Sequence, residues 1–216
     1  MSEVRYIAIE GVIGAGKTSL AKKLSDQLKA RLVLEQFEIN PFLSKFYQDQ
    51  KRYAFQTQMF FLVNRYKQQQ DLFQENLFSE FLITDYIFNK DQVFAYLNLS
   101  NDEIKLYESI FPLLARTIRQ PDIVVYLQSS VDRLMTNIKK RNRKIEEHIS
   151  KSYIEELQNA YNKYFFKYDA SPLLIVDVEE IDFVNNKKDY DDLVKEIFRE
   201  NRAKIEYYKP ERKLIV

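Results

Sequence analysis

The segment at positions 11–18, GVIGAGKT, constrains what this chain can fold into more than any other. It follows an apolar stretch at 5–9 that is typical of a buried strand, and it precedes residues 19–30, whose leucines recur at helical spacing. A strand, a glycine-rich turn, Lys17 with Thr18 and a helix form the arrangement that a P-loop requires. All three glycines of the chain lie in this turn. The segment therefore predicts binding of a nucleoside triphosphate.

The physical basis of this prediction is a hollow lined by backbone N–H groups at the positive end of a helix. We expect Lys17 to reach the β and γ phosphates and the Thr18 hydroxyl to hold Mg²⁺. A tight strand-to-helix turn with an incidental lysine is the alternative, and the full spacing together with the flanking elements argues against it. The predicted ATP-binding residues of this segment are Gly11, Ile13, Gly14, Ala15, Gly16, Lys17, Thr18 and Ser19.

Composition narrows the class of protein further. The 216 residues predict one α/β domain, 1–208, with a tail at 209–216. A balance of 33 basic and 32 acidic side chains argues against general nucleic-acid binding, which needs a basic face. The absence of cysteine excludes disulfides and thiolate metal sites. No apolar stretch approaches the ~20 residues that span a bilayer, and no signal-peptide pattern is visible at the start. We therefore expect a cytoplasmic protein that does not associate with a membrane.

Apolar stretches that alternate with helical patterns predict the fold. Strands are expected at 5–9, 31–34, 81–84, 123–127 and 173–176, with a long helix at 53–78 and a C-terminal helix at 189–207. Alternation of this kind predicts a five-stranded parallel sheet between two layers of helices. A basic run at 139–144 ends the helix that is expected to begin at Val131. It could be a solvated face, but triphosphate chemistry favours a mobile lid that closes over the transferred group.

Two acids stand where predicted strands end. Glu35 follows the second strand and Asp85 follows the third. Ligands of open α/β sheets collect beyond the carboxyl ends of the strands, so both carboxylates are expected beside the P-loop. Glu35 is placed to take a proton from a phosphate acceptor, and Asp85 to contact Mg²⁺ directly or through water. Gln58 and Arg65, seven positions apart on the long helix, are expected to share a face.

Several segments resemble the deoxynucleoside kinases, and especially their bacterial deoxyadenosine/deoxyguanosine kinase branch, over residues 4–200. The similar segments are IEGVIGAGKT at 9–18, NPF at 40–42, YAFQTQ at 53–58, Asp91 with Phe94, and RNR at 141–143 with Glu146. Many nucleotide-binding proteins share a P-loop, so the other segments make the match specific. The resemblance implies a P-loop kinase fold with a basic lid and transfer of the γ-phosphate of ATP to the 5′-hydroxyl of a deoxynucleoside. It also implies Mg²⁺, a purine substrate with deoxyadenosine favoured, and a homodimer packed through helices.

The resemblance also implies roles for individual residues. Glu35 would be the general base, and Arg141 and Arg143 would be the lid arginines that neutralise charge on the transferring phosphoryl group. The residues implied to bind the nucleoside are Tyr47 and Glu146 at the 3′-hydroxyl, Gln58 and Asp91 at the base edge, Arg65 as the partner of Asp91, and Phe94 in the base pocket. Phe183 would lie in the loop around the ATP adenine. Without the resemblance, Tyr47 reads as a core aromatic, Gln58 as a solvent-facing residue and Glu146 as half of a helical ion pair.

The chain departs from the family pattern after its third strand. The family usually has an acid, an arginine and a serine there, and its arginine helps to hold the general base and the 5′-hydroxyl. This chain has Asp85, Tyr86 and Ile87, so the arginine is missing. We hypothesise that Lys90 or Arg65 substitutes for it, although a lysine cannot make the bidentate contact of an arginine.

A second departure lies in the lid, where the usual glycine is Asn142 and an arginine one turn earlier is Asn137. Two other functions stay open at this stage. A nucleoside monophosphate kinase shares the P-loop and lid but would need extra cations for its charged acceptor, and the candidate pocket residues include two acids. A non-catalytic, nucleotide-binding regulatory subunit of an active kinase would explain the missing arginine.

Overall fold

Six parallel strands form one sheet in the part of the chain that the structure, a computed structural model, describes: residues 4–74 and 80–210. They are β1 Tyr6–Gly11, β2 Arg31–Val33, β3 Leu82–Thr84, β4 Ile123–Gln128, β5 Leu173–Asp177 and β6 Ile205–Tyr208. Their order across the sheet is β2-β3-β1-β4-β5-β6. The P-loop therefore follows a central strand, because β1 pairs with β3 on one side and with β4 on the other.

Helices connect these strands and cover the sheet. They are α1 Lys17–Leu28, α2 Leu43–Gln48, α3 Gln50–Gln74, α4 Lys90–Asn98, α5 Asn101–Ala115, α6 Val131–Arg141, α7 Lys151–Phe166 and α8 Lys187–Ile197. Single 3-10 turns occupy Phe37–Ile39 and Lys144–Glu146. None of the helices within residues 4–74 and 80–210 has the length and apolar character of a membrane span.

The core lies on both faces of the central strands. Ile7, Ile9 and Val124 have no exposed surface, as expected of a parallel sheet covered by helices on both sides. Ring stacking continues this core into α7, where Tyr126 of β4 and Phe165 lie 4.4 Å apart between ring centres. The predicted fold, a parallel sheet enclosed by helices, is confirmed.

The C-terminal part differs from the prediction in one element. The helix expected to reach residue 207 ends at Ile197, and a sixth strand follows, in which Ile205 pairs with Leu173 of β5. Between them Asn201 adopts a left-handed conformation with φ 55°. Arg202 donates to the carbonyls of Glu196 and Ile197 and so binds the end of the helix. The sheet therefore has six strands rather than five.

The long helix begins at Gln50, three residues earlier than predicted, and its predicted end at 78 lies outside the described residues. The division into a domain at 1–208 and a tail at 209–216 stays a prediction, since 211–216 also lie outside the described residues.

Candidate active site

The P-loop joins the end of β1 to the start of α1. Gly14 and Gly16 have φ of 93° and 97°, which side chains rarely adopt. A Cβ on Gly14 would lie 2.6 Å from the Leu134 carbonyl oxygen, so the turn also needs glycine for space. Lys17 folds back along the loop and donates to the carbonyls of Gly11, at 2.8 Å, and Val12, at 3.2 Å. Burial, with a contribution from the nearby charge of Lys90, lowers the pKa of Lys17 to about 8.

Thr18 and Asp85 form an oxygen pair beside this loop. The Thr18 hydroxyl donates to Asp85 Oδ2 at 2.6 Å, and Asp85 Oδ1 accepts from the backbone N–H of Glu35 at 2.7 Å. A hydroxyl and a carboxylate suit Mg²⁺, which takes few protein ligands and completes its shell with water and phosphate oxygens. Residues 4–74 and 80–210 contain no group of three or more His, Asp or Glu side chains that could hold a metal alone. The pair therefore fits a magnesium ion that arrives with a nucleotide.

A cavity next to this pair brings most of the predicted nucleoside-binding residues together. Its walls come from the P-loop, α2, α3, α4, α7 and the segment after α6. The predicted residues that line it are Ile13, Lys17, Thr18, Glu35, Tyr47, Gln58, Arg65, Asp85, Phe94, Arg141, Arg143 and Glu146. Asp91 lies behind the wall, without exposed surface, in contact with Gln58 and Arg65.

Two cations bind the carboxylate of Glu35, one at each oxygen. Arg65 donates from Nε at 2.8 Å and from Nη2 at 2.5 Å to Oε1, and Lys90 Nζ donates to Oε2 at 2.8 Å. Burial opposes ionisation of Glu35, but the charges of Lys90 and Arg65 outweigh it and lower its pKa to about 2. Both residues that were hypothesised to replace the missing arginine therefore contact Glu35, and Glu35 is ionised at neutral pH.

Arg65 also connects Glu35 to the carboxylate of Asp91. Its Nη1 donates to Asp91 Oδ2. Gln58 Nε2 donates to Asp91 Oδ1 at 2.5 Å and to the Asp91 carbonyl at 2.9 Å, and the Tyr107 hydroxyl donates to Oδ1 at 2.9 Å. Since both amide hydrogens of Gln58 face acceptors of Asp91, its carbonyl oxygen is the group left for a ligand.

Both predicted lid arginines, Arg141 and Arg143, lie close to the carboxylate of Glu146. Glu146 accepts from Arg141 Nε at 2.7 Å and lies 3.6 Å from Arg143 Nη1. Asn142 between the two arginines has φ 48° and ends α6, so it adopts the left-handed conformation for which glycine is otherwise favoured. Tyr47 lines the same cavity; burial raises its pKa, which keeps its hydroxyl a hydrogen-bond donor.

A second cavity also borders the P-loop. The predicted residues Gly14, Ala15, Gly16, Ser19 and Phe183 line it, and Arg141 lines both cavities. The Phe183 ring covers Gly16, because a Cβ there would lie 2.8 Å from Phe183 Cζ. Gly11 lines neither cavity; its carbonyl holds Lys17.

The loop that carries Phe183 is held by cations that sequence reasoning missed. Arg133 of α6 donates to the carbonyls of Glu179 and Ile181. Lys23 of α1 donates to the carbonyls of Phe183 and Val184, each at 2.9 Å. Asn137, in the position of the missing lid arginine, donates to the Gly14 carbonyl at 2.9 Å.

Two further residues of the site were not predicted. No sequence pattern indicated Tyr107, because it lies on α5 and reaches Asp91 only through tertiary packing. Glu10 did have one, as an acid that ends an apolar strand next to the P-loop. Its fully buried carboxylate accepts from the backbone N–H of Ile87 at 2.7 Å and of Gly11 at 3.2 Å. It therefore ties the P-loop to the segment that leads into α4.

Taken together, a glycine-rich loop with Lys17, an oxygen pair suited to Mg²⁺, an ionised carboxylate and the two arginines that line the first cavity form the arrangement expected of a P-loop phosphotransferase. Comparison with known proteins makes the class specific. The deoxynucleoside kinase family model matches residues 7–201, and the chain belongs to the deoxynucleoside kinase family, whose members are ATP-dependent phosphotransferases.

Individual relatives are similar over nearly their whole length. The chain is 38% identical to deoxyguanosine kinase of Bacillus subtilis over 196 residues, which are 88% of this chain and 95% of that protein. It is 30% identical to the deoxyadenosine/deoxycytidine kinase of the same organism, over 88% of this chain and 90% of the relative. The solved structure of deoxyadenosine kinase from M. mycoides with bound dATP superposes with a TM-score of 0.78 at 27% identity, covering 89% of this chain and 98% of that one.

Proposed function

We propose that this chain transfers the γ-phosphoryl group of ATP to the 5′-hydroxyl of a purine deoxynucleoside, deoxyadenosine or deoxyguanosine. The observation that carries the proposal is the position of Glu35. Its ionised carboxylate lies in one cavity between the phosphate-binding group, Lys17 with Thr18, and the polar group on α3, Gln58 with Arg65. A nucleoside that placed its base on α3 would present its sugar to Glu35.

The acceptor pocket supports an uncharged nucleoside. The carbonyl oxygen of Gln58 would accept from an amino or imino group of the base, and the remaining N–H groups of Arg65 would donate to a ring nitrogen or carbonyl oxygen. Phe94 offers an apolar wall for the base. Tyr47 and Glu146, at the lid end of the cavity, would bind the 3′-hydroxyl of the sugar.

Phosphoryl transfer to the 5′-hydroxyl depends on positioning and charge stabilisation more than on a strong base. Phosphoryl transfer passes through a loose transition state in which the attacking hydroxyl keeps its proton until late. A carboxylate with a pKa of about 2 therefore suffices to orient the hydroxyl and receive its proton as the new bond forms. Lys17 and the lid arginines 141 and 143 would surround the transferring group. Magnesium held by Thr18 and Asp85 would neutralise charge on the phosphates.

The donor nucleotide is proposed to extend from the P-loop into the second cavity. Phe183 and the loop bound by Arg133 and Lys23 would enclose its adenine, and Ser19 would face its phosphates. We also propose that the protein forms a homodimer and works in the cytoplasm, where ATP and deoxynucleosides are available; both stay predictions.

The decisive experiment incubates the purified chain with Mg·ATP and each of the four deoxynucleosides, and identifies the product by ³¹P NMR. The proposal expects ADP together with a deoxynucleoside 5′-monophosphate, fastest with a purine. The four deoxynucleoside monophosphates serve as matched acceptors. Turnover with these alone would identify a monophosphate kinase, and silence with all eight acceptors would contradict catalysis by the chain alone and favour a regulatory subunit.

A further inference from the structure

The hydroxyl of Thr57 is a buried polar group without a hydrogen-bond partner. Thr57 precedes Gln58 on α3, lines the cavity that Glu35 lines, and is 5% exposed. Within the part of the chain that the structure describes, buried side-chain atoms without a partner occur in Thr57 and Gln69, and Gln69 does not line this cavity. An unpaired buried hydroxyl is unfavourable, so a group of this kind next to a binding site indicates that a ligand supplies its partner.

Contacts around Thr57 hold its backbone and leave its hydroxyl available. Asn40 donates from Nδ2 to the Thr57 carbonyl at 3.1 Å and accepts at Oδ1 from the backbone N–H of Phe42 at 3.0 Å, which ties α3 to the residue before α2. A threonine hydroxyl on a helix can bond the carbonyl one turn earlier, which Thr57 does not do. Threonine has two favoured side-chain rotamers on a helix, so this hydroxyl can turn to a ligand without moving the helix.

The neighbours of Thr57 define which part of a base it would meet. Gln58 offers its carbonyl oxygen, because both of its amide hydrogens bind Asp91, and Arg65 offers the N–H groups that bind neither Glu35 nor Asp91. Along α3, the order Arg65, Gln58, Thr57 therefore presents a donor, an acceptor and a hydroxyl that can accept. The Watson–Crick edge of guanine presents the complementary series, the O6 acceptor, the N1–H donor and the 2-amino donor. Adenine has no group at position 2.

We propose that Thr57 Oγ1 accepts a hydrogen bond from the 2-amino group of guanine and so selects deoxyguanosine over deoxyadenosine. The inference rests on the proposed function and deepens it by naming the base. In the same pose, adenine would leave Thr57 unpaired and would turn its 6-amino group toward the N–H donors of Arg65. A site whose buried polar groups need a partner rejects the analogue that lacks it.

The test compares deoxyguanosine with deoxyinosine, which differs from it by the absence of the 2-amino group alone. The wild type should phosphorylate deoxyguanosine with a kcat/KM roughly 5–100-fold above that for deoxyinosine, the ratio expected when one buried hydrogen bond is made or left unmade. Deoxyadenosine, measured in the same series, should also fall below deoxyguanosine.

Three variants assign this preference to the hydroxyl. Thr57→Val keeps the branched shape without the hydroxyl, so kcat/KM for deoxyguanosine should fall by the same factor while that for deoxyinosine stays within about threefold. Thr57→Ser keeps the hydroxyl and should retain the preference. Thr117→Val is the matched control, because it removes an exposed hydroxyl that lines neither cavity and bonds Leu114 and Gln70.

Thermal unfolding separates this role from packing. Since the Thr57 hydroxyl has no partner in the free protein, Thr57→Val should not lower the melting temperature. If Thr57→Val shows no cooperative unfolding, Thr57→Ala takes its place with the same expected loss of preference.

The outcomes distinguish the two proposals. A wild type that phosphorylates no deoxynucleoside overturns the proposed function and this inference with it. An active wild type that favours deoxyadenosine, or that treats deoxyguanosine and deoxyinosine equally, overturns the inference alone. So does a Thr57→Val variant that keeps the wild-type preference, or one that loses both substrates equally with a lowered melting temperature, which would mark Thr57 as structural.

Discussion

Binding of ATP should take up a proton, because the free protein holds Lys17 with a pKa of about 8. The cause is burial, to which the neighbouring charge of Lys90 adds. A triphosphate that reaches the Lys17 ammonium brings negative charge and favours its protonated form. At pH 8 roughly half of the free protein has a neutral Lys17, so binding takes up about 0.5 proton; at pH 7 the fraction, and the uptake, fall to about 0.1.

Isothermal calorimetry measures this uptake directly. Mg·ATP is titrated at pH 8 into the protein without acceptor, in buffers with different ionisation enthalpies such as Tris and HEPES. The slope of observed enthalpy against buffer ionisation enthalpy is the number of protons taken up. At this pH the terminal phosphate of ATP is almost fully ionised, since its second pKa is near 6, and so contributes little to the slope.

The control is Lys17→Arg, whose guanidinium stays protonated throughout this range and should give a slope near zero. The reasoning is refuted if the wild-type slope at pH 8 is also near zero, or if the arginine variant binds and keeps the wild-type slope. Either result would mean that binding of the nucleotide does not change the protonation state of Lys17.

Three further predictions follow from single contacts. The pKa of Glu35, lowered from 4.5 to about 2, corresponds to about 3 kcal/mol of folding stability that is present above pH 4.5 and lost as the pH falls toward 2. Urea titrations should therefore show that the difference in unfolding free energy between wild type and Glu35→Gln narrows over that range. A constant difference would contradict the ion pairs of Glu35 with Arg65 and Lys90. Tyr107→Phe removes the hydroxyl that donates to the buried carboxylate of Asp91, so it should lower the free energy of unfolding by about 1–3 kcal/mol and raise KM for the deoxynucleoside but not for ATP. Tyr96→Phe, which loses an exposed hydroxyl contact, is the control. Equal effects of the two substitutions would contradict a role of Tyr107 in the nucleoside site. Gly16→Ala would place a side chain at φ 97° and against Phe183, so it should lower the free energy of unfolding by about 1–2 kcal/mol and raise KM for ATP. An unchanged melting temperature would argue against this loop geometry.

The P-loop and the strands around it could be predicted because their signals are local. Loop, lysine, hydroxyl and helix start are adjacent in the chain, and buried parallel strands appear as short apolar stretches. Glu35 and Asp85 could be placed because the carboxyl ends of parallel strands meet at one edge. The sixth strand could not, since Ile205–Tyr208 is an edge strand of alternating exposed and half-buried residues and lacks the buried apolar stretch that marks the other strands.

The partners of the site residues depend on tertiary packing, which spacing along the chain does not report. The contacts of Glu35 come from Arg65 and Lys90, 30 and 55 positions away. Sequence alone named both as candidates but could not divide the two carboxylate oxygens between them. Tyr107 comes from a helix that carries no motif, and its role becomes visible only where its hydroxyl meets Asp91.

The central claim is that a carboxylate at position 35 receives the proton of the acceptor hydroxyl while the P-loop holds the triphosphate. Single-turnover quench-flow with preformed Mg·ATP complexes of wild type and Glu35→Gln, mixed with saturating deoxynucleoside, tests it most directly. The account predicts that transfer slows by roughly 10²–10⁴-fold in the variant while the Kd of ATP is unchanged. Equal transfer rates in the two proteins would contradict it.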